Sequence, residues 1–202
     1  MIGDLDREIA SHLKSMRSTT TLPSLPAKPR LRGKKPHDPK FDVREALYFV
    51  CGVDLTAIEG IDEIHALTLV GELGTDFTKW PTVKHFASWL GLCPNWKKTG
   101  GAMKSSATRK GKNRAAGALR LAAWSLMRSH SDLGAYLRRQ RSRLGAPKAI
   151  TATAHKLALI ADRPVRMSRT GRRTRYITVV IQRVTGACHS SLGPQGSSWF
   201  GV

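Results

Sequence analysis

Residues 91–114 read GLCPNWKKTGGAMKSSATRKGKNR, a stretch that packs cations, hydroxyls and glycines together with no carboxylate to neutralise them. Its bases are Lys97, Lys98, Lys104, Arg109, Lys110, Lys112 and Arg114. They stand among Thr99, Gly100, Gly101, Ser105, Ser106 and Thr108, which donate hydrogen bonds or let a backbone come close. The stretch is expected to be a phosphate-facing loop, and the rest of the chain has to be organised around it.

The segments on either side carry apolar residues at helical spacing. In residues 41–53, Val43, Leu47 and Val50 predict a short helix capped by Asp42 and ended by Gly52. Residues 55–74 place a Glu59-Gly60 turn between Ile58 and Ile61, ahead of a helix face made by Ile64, Leu67, Leu69, Val70 and Leu73. Helix, glycine turn and helix is the order of a helix-hairpin-helix, whose second helix can hold a phosphate at its N-terminus. Asp62 and Glu63 occupy that place and would repel one, which favours a structural hairpin. Residues 75–92 follow, with Phe77, Trp80, Phe86, Trp89 and Leu90 expected in the core around Pro81 near a helix start.

Beyond the basic stretch, Asn113 is expected to cap a helix over 114–130 with Ala116, Leu119, Ala123, Leu126 and Met127 inward. Ala115, Ala118 and Ala122 would let a neighbour approach it closely. Asp132 is expected to cap the next helix, over 133–144, which spreads Arg138, Arg139, Arg141 and Arg143 around much of its circumference. Arginine suits bidentate phosphate contact, and no acidic partners stand at i+4, so this helix is expected to be a second nucleic-acid surface. A last helix is expected over 149–160, with Ile150, Leu157 and Ile160 inward.

The two ends differ from this helical middle. Residues 1–17 show Ile2, Leu5, Ile9, Leu13 and Met16 in one stripe, the remnant of a coiled coil or an amphipathic helix docked on its own domain. Residues 18–40 form a basic linker in which Pro23, Pro26, Pro29, Pro36 and Pro39 block any helix. Residues 162–202 are arginine-rich, then Gly/Ser-rich, with one strand-like run at 176–181, and are expected to be a disordered basic tail. The folded domain is therefore expected over 41–161, mainly α and compact.

Charge narrows the partners. The formal net charge is +20 over 202 residues, and after Asp76 the only carboxylates are Asp132 and Asp162. Such a surface attracts polyanions, nucleic acid ahead of an anionic membrane, because no strongly basic helix carries the aromatic stripe of an interfacial one. Cys51, Cys93 and Cys188 lack metal-ligand spacing and read as reduced thiols, and the scattered histidines make no metal cage. No signal sequence opens the chain, so export is not expected and a cytoplasmic location is.

In this order and spacing, residues 41–160 resemble the C-terminal half of the IS-one-ten family of insertion-sequence transposases. The resemblance rests on FDVREALY, GVDLTAIEGID, ALTLVGELGTDF, PTVKHFASWLGLCP, the TGG at Thr99 to Gly101, the Ser105-Ser106 pair, NRAAGALRLAA and LGAPKAITATAHKLA. It implies a bacterial, nucleoid-associated DNA strand-exchange enzyme, homo-oligomeric and guided by a bridge RNA. It also implies a RuvC-like N-terminal domain that binds magnesium, a coiled coil, and a C-terminal domain supplying a nucleophilic serine before the paired glycines. Here that position is Thr99, expected to be a poor or inactive nucleophile because its methyl restricts the rotamer and crowds in-line attack. No RuvC-like segment precedes the first helix and the family's final helix is replaced after Ile160, so a truncated, incomplete copy that binds no magnesium by itself is expected. The alternative is a nucleic-acid-binding fragment without catalysis.

Overall fold

Side-chain caps start five of the helices, and they set the frame of the molecule. In the computed structural model, which describes residues 2–16, 22, 24–25, 38–109, 111 and 113–169, Asp42 accepts from the Glu45 amide at 3.0 Å and opens α2, Val43–Cys51. Gly52 closes it in the left-handed region, φ 72°, donating to the Tyr48 carbonyl. Asp62 accepts from the His65 amide at 2.8 Å and opens α3, Glu63–Leu73. Thr82 opens α4, Val83–Trp89, and Asn113 opens α5, Arg114–Ser125. Each of these groups satisfies an amide that a helix N-terminus would otherwise leave without a partner.

The fifth cap corrects an expectation. Ser131, not Asp132, caps α6, Asp132–Leu144: its hydroxyl accepts from the Gly134 amide at 3.2 Å. Asp132 becomes the first helical residue, where its charge still complements the helix dipole. Nor does α5 run on to His130. It ends at Ser125 and tightens into a 3-10 turn, Leu126–Arg128.

The last helix, α7, spans Ala146–Arg169 and is the spine on which α4, α5 and α6 pack, while α3 lies against α5. Leu119, Leu126, Leu133, Leu137, Leu157 and Ile160 are fully buried where these helices meet. Ala115, Ala118 and Ala122 are buried as expected, and they are small enough to let α3 and α7 close on α5. Removing so much aliphatic surface from water is the main force available to the fold.

That helix also corrects the expected boundary at Asp162. It continues through Pro164, with Asp162 and Val165 buried, because Arg166 pairs with Asp162 and donates to the Trp80 carbonyl at 2.8 Å. Tertiary contact thus outweighs a residue that disfavours the helix interior. The strand-like run at 176–181 and the Gly/Ser tail lie outside the described residues.

Two further expectations are refined. Before α3 stands a single 3-10 turn, Leu55–Ala57, rather than a full first helix, and Ile58 and Ile61 are both buried. The aromatic cluster of Phe77, Trp80 and Phe86 is interior, with centroids 5.0 to 5.9 Å apart. Trp89, expected in the core, touches Trp80 at 5.1 Å but is 50% exposed, because α4 turns that side to solvent. At the N-terminus, α1 (Ile2–Ser15) packs against α2. Of its stripe Leu13 is buried, while Leu5, Ile9 and Met16 stay exposed. Most of the Pro-rich linker is outside the described residues.

Candidate nucleic-acid interface

The basic stretch is not an irregular loop but a short ribbon. β1, Lys97–Thr99, pairs antiparallel with β2, Ala102–Ser105, with Thr99 opposite Ala102 and Lys98 opposite Met103. Gly100 and Gly101 form the two-residue connection with φ 57° and 76°. Positive φ at both central residues is what a type I′ turn demands, and it matches the twist of the strands. A Cβ at either glycine would meet nothing within 4 Å. The glycine pair is therefore required by backbone angle rather than by lack of room, which gives the TGG motif a structural reason of its own.

The ribbon is tied to the core at its base. Leu92 is buried and donates its amide to the Ala87 carbonyl at 3.1 Å. Pro94 bridges to Thr108, and the Asn95 amide donates to the Ala107 carbonyl at 3.1 Å. Gly91, at φ 68°, passes close to the Arg109 carbonyl. Ser105 accepts from the Ala107 amide at 3.2 Å, shaping the return strand, whereas Ser106 is exposed. The hairpin thus projects between α4 and α5 on a fixed stem.

Lys97, Lys98, Lys104 and Arg109 are all exposed, and among the described residues none of them has a carboxylate partner. Arg114 differs: it meets Glu72 of α3 at 3.3 Å, a neutralising contact that its own stretch could not reveal. Lys110 and Lys112 lie outside the described residues. Thr99 stands at the turn and is exposed. Lysines so placed repel one another, and a polyanion would relieve that repulsion.

The second expected surface is partly spent on the fold. Arg138 donates to the Ser129 carbonyl at 2.6 Å and the Met127 carbonyl at 3.4 Å, closing the turn before α6. Arg141 reaches the Met127 sulfur at 3.5 Å. Arg139 and Arg143 instead line an open recess of ≈ 360 Å³ with Tyr136, Gln140 and Ser142. Lys156 of α7 sits 5.0 Å from the Tyr136 ring centroid, a cation the sequence reading passed over because it lay on a helix taken for core. Burial pushes the Tyr136 phenol above its ordinary range, while the Arg139 and Arg143 charges pull against that rise. Burial lowers the Lys156 ammonium as well. This cluster sits where α6 packs on α7.

The turn at Gly60 is built for packing. Its φ is 86°, and a Cβ there would come within 2.7 Å of the Ala122 carbonyl on α5. At the N-terminus of α3 the His65 amide is already served by Asp62, in keeping with a structural hairpin. Cys51 is a buried thiol and Cys93 a half-buried one, neither in a disulfide, the latter pushed up by burial. Among the described residues no three His, Cys, Asp or Glu side chains gather where they could hold a metal ion. No helix among them is long and apolar enough to cross a membrane.

Residues 54–138 match the family model described as Transposase IS116/IS110/IS902 family. The match runs from the cap of the 3-10 turn to the middle of α6, and so takes in the whole hairpin. No curated protein and no solved structure matches the chain.

Proposed function

Because residues 54–138 match the family model described as Transposase IS116/IS110/IS902 family, we propose that this chain binds DNA in transposition through the 97–105 hairpin. The observation that carries the proposal is the set of exposed, unneutralised cations, Lys97, Lys98, Lys104 and Arg109, on a ribbon fixed by its stem. Arg139, Arg143 and Lys156 offer a second phosphate contact on the other helix pair. The bound register follows from phosphate contacts, which position a strand without reading its bases.

Thr99 holds the place where a serine nucleophile would stand. Its hydroxyl could form a phosphodiester bond to a DNA strand only by in-line attack on phosphorus with loss of the strand's own oxygen. The β-branched methyl restricts the approach. Thr99 is accordingly a poor nucleophile, and binding without catalysis is the second reading, favoured by the identity of that one residue.

Equilibrium binding of the full chain to duplex DNA over a range of salt tests the first part. The logarithm of affinity should fall linearly with the logarithm of salt, and each Ala replacement at Lys97, Lys98, Lys104 or Arg109 should flatten that slope by roughly 0.9. An affinity indifferent to salt would overturn it. Incubation with element-end DNA, guide RNA and magnesium tests the second part: a covalent protein–DNA adduct that disappears in Thr99→Ala would sink the reading without catalysis.

A further inference from the structure

Trp96 immediately precedes β1 and is 56% exposed. Among the described residues it makes no ring contact with another aromatic. Asn95 before it is hydrogen-bonded across the ribbon to Ala107, Lys97 after it pairs with Ser105, and Lys97 and Lys98 follow directly in sequence. The indole thus stands on a hydrogen-bonded backbone, next in sequence to two lysines. Trp89 contrasts with it, since that ring leans on Trp80.

We propose that Trp96 is a stacking platform for an unpaired nucleobase, and that the hairpin grips single-stranded nucleic acid in preference to a closed duplex. A base inside a duplex offers only its edges to a protein, so the flat face of an indole finds a partner only where a base has left the stack. Stacking is sequence-tolerant, because every base has a π-face, and a basic groove tracking the backbone is its usual companion. Lys97 and Lys98 supply the phosphate contacts on either side of the stacked base. The ordered ribbon keeps down the entropy lost on binding. This assignment rests on the proposal that the hairpin binds nucleic acid, and adds to it which form of strand is held and by which residue.

The test measures affinity of the full chain for a thymidine oligomer, for an abasic oligomer of equal length that keeps every phosphate, and for a duplex. Parent, Trp96→Ala and Trp96→Phe proteins are compared, each first shown to unfold at the parent temperature. Trp96→Ala should weaken thymidine-oligomer binding by about ten-fold, with Trp96→Phe retaining most of the affinity. The abasic oligomer and the duplex should bind all three proteins alike. A uridine oligomer run in parallel tells whether a DNA or an RNA strand supplies the base, and a Trp96-dependent loss with either supports the assignment. Equal loss on all ligands, or no loss on the thymidine oligomer, overturns the stacking role, whereas the parent's salt-dependent duplex binding would still stand. Absence of salt-dependent binding to any of them would instead remove the hairpin proposal beneath it.

Discussion

Arg166 donates to the Trp80 carbonyl at 2.8 Å while its Nε and Nη2 hold the Asp162 carboxylate at 3.1 and 2.9 Å. One guanidinium thereby ties the end of α7 to the aromatic corner from which α4 and then the hairpin depart. The Asp162 side chain is fully buried and that of Arg166 is 24% exposed. Asp162→Ala would strand a largely buried cation, and Arg166→Ala a buried carboxylate. Either change should lower stability by about 3 kcal/mol. Urea unfolding of both variants measures this, and losses near those of an exposed ion pair in both would mean that the clasp is incidental.

Glycines distinguish packing from propensity. Gly60 combines φ 86° with a Cβ position 2.7 Å from the Ala122 carbonyl, so Gly60→Ala must push α3 away from α5 and strain its own backbone, costing about 3 kcal/mol. Gly71 lies inside α3 with nothing within 4 Å of its Cβ position. Gly71→Ala should therefore stabilise the protein by about 1 kcal/mol through helix propensity alone. Thermal unfolding should move the two variants in opposite directions. The DNA-binding salt slope should stay put in Gly71→Ala, and a slope lost in folded Gly60→Ala would mark the Gly60 turn as a phosphate site after all.

How much of this was readable from residues alone depended on how local each cause is. Asp42 and Asn113 were legible as caps because an Asx side chain serves an amide three residues away. Ser131 and Asp132 are adjacent capping types, and only the backbone at Ser131 decides between them. The Gly100-Gly101 pair is a hairpin signal, but the residues around it lack an apolar alternation, so the pairing was hidden beneath the charge. Arg138 and Arg141 looked free because their partners, Ser129 and Met127, are supplied by tertiary folding. The Arg114 contact with Glu72 and the Arg166 bond to Trp80 were hidden for the same reason. Trp96 could have been noticed as the lone aromatic within the basic stretch 91–114.

Acid should weaken the Arg44 and Asp54 pair. Burial alone would raise the Asp54 carboxyl, but hydrogen bonds from Arg44 and Thr56 outweigh it and hold the group below its ordinary value of 3.8. A depressed folded value means that the pair's stabilisation is fully present above that ordinary value and is lost as pH falls through the folded one. Unfolding free energy measured from neutral pH into strong acid should therefore fall more steeply for the parent than for Asp54→Asn. Parallel curves would show that Asp54 titrates alike in the folded and unfolded chains.

The turn that presents Thr99 gives the sharpest local test. Gly100 and Gly101 need φ of 57° and 76°, a region that costs an L-residue with a Cβ about 1 to 2 kcal/mol unless it is asparagine-like. Gly100→Asn should thus preserve the hairpin, since Asn-Gly is a favoured type I′ pair. Replacing both glycines by Ala should fray it, because strain at successive positions falls on a ribbon of two short strands. The core makes no use of the turn, whose glycine Cβ positions meet nothing, so global unfolding should shift little in either variant. Amide hydrogen exchange at Thr99 and Ala102, the pair that flanks the turn, should rise several-fold in the double Ala variant alone. Exchange unchanged there would mean that the ribbon is held by its stem, with the glycines free to serve the bound strand.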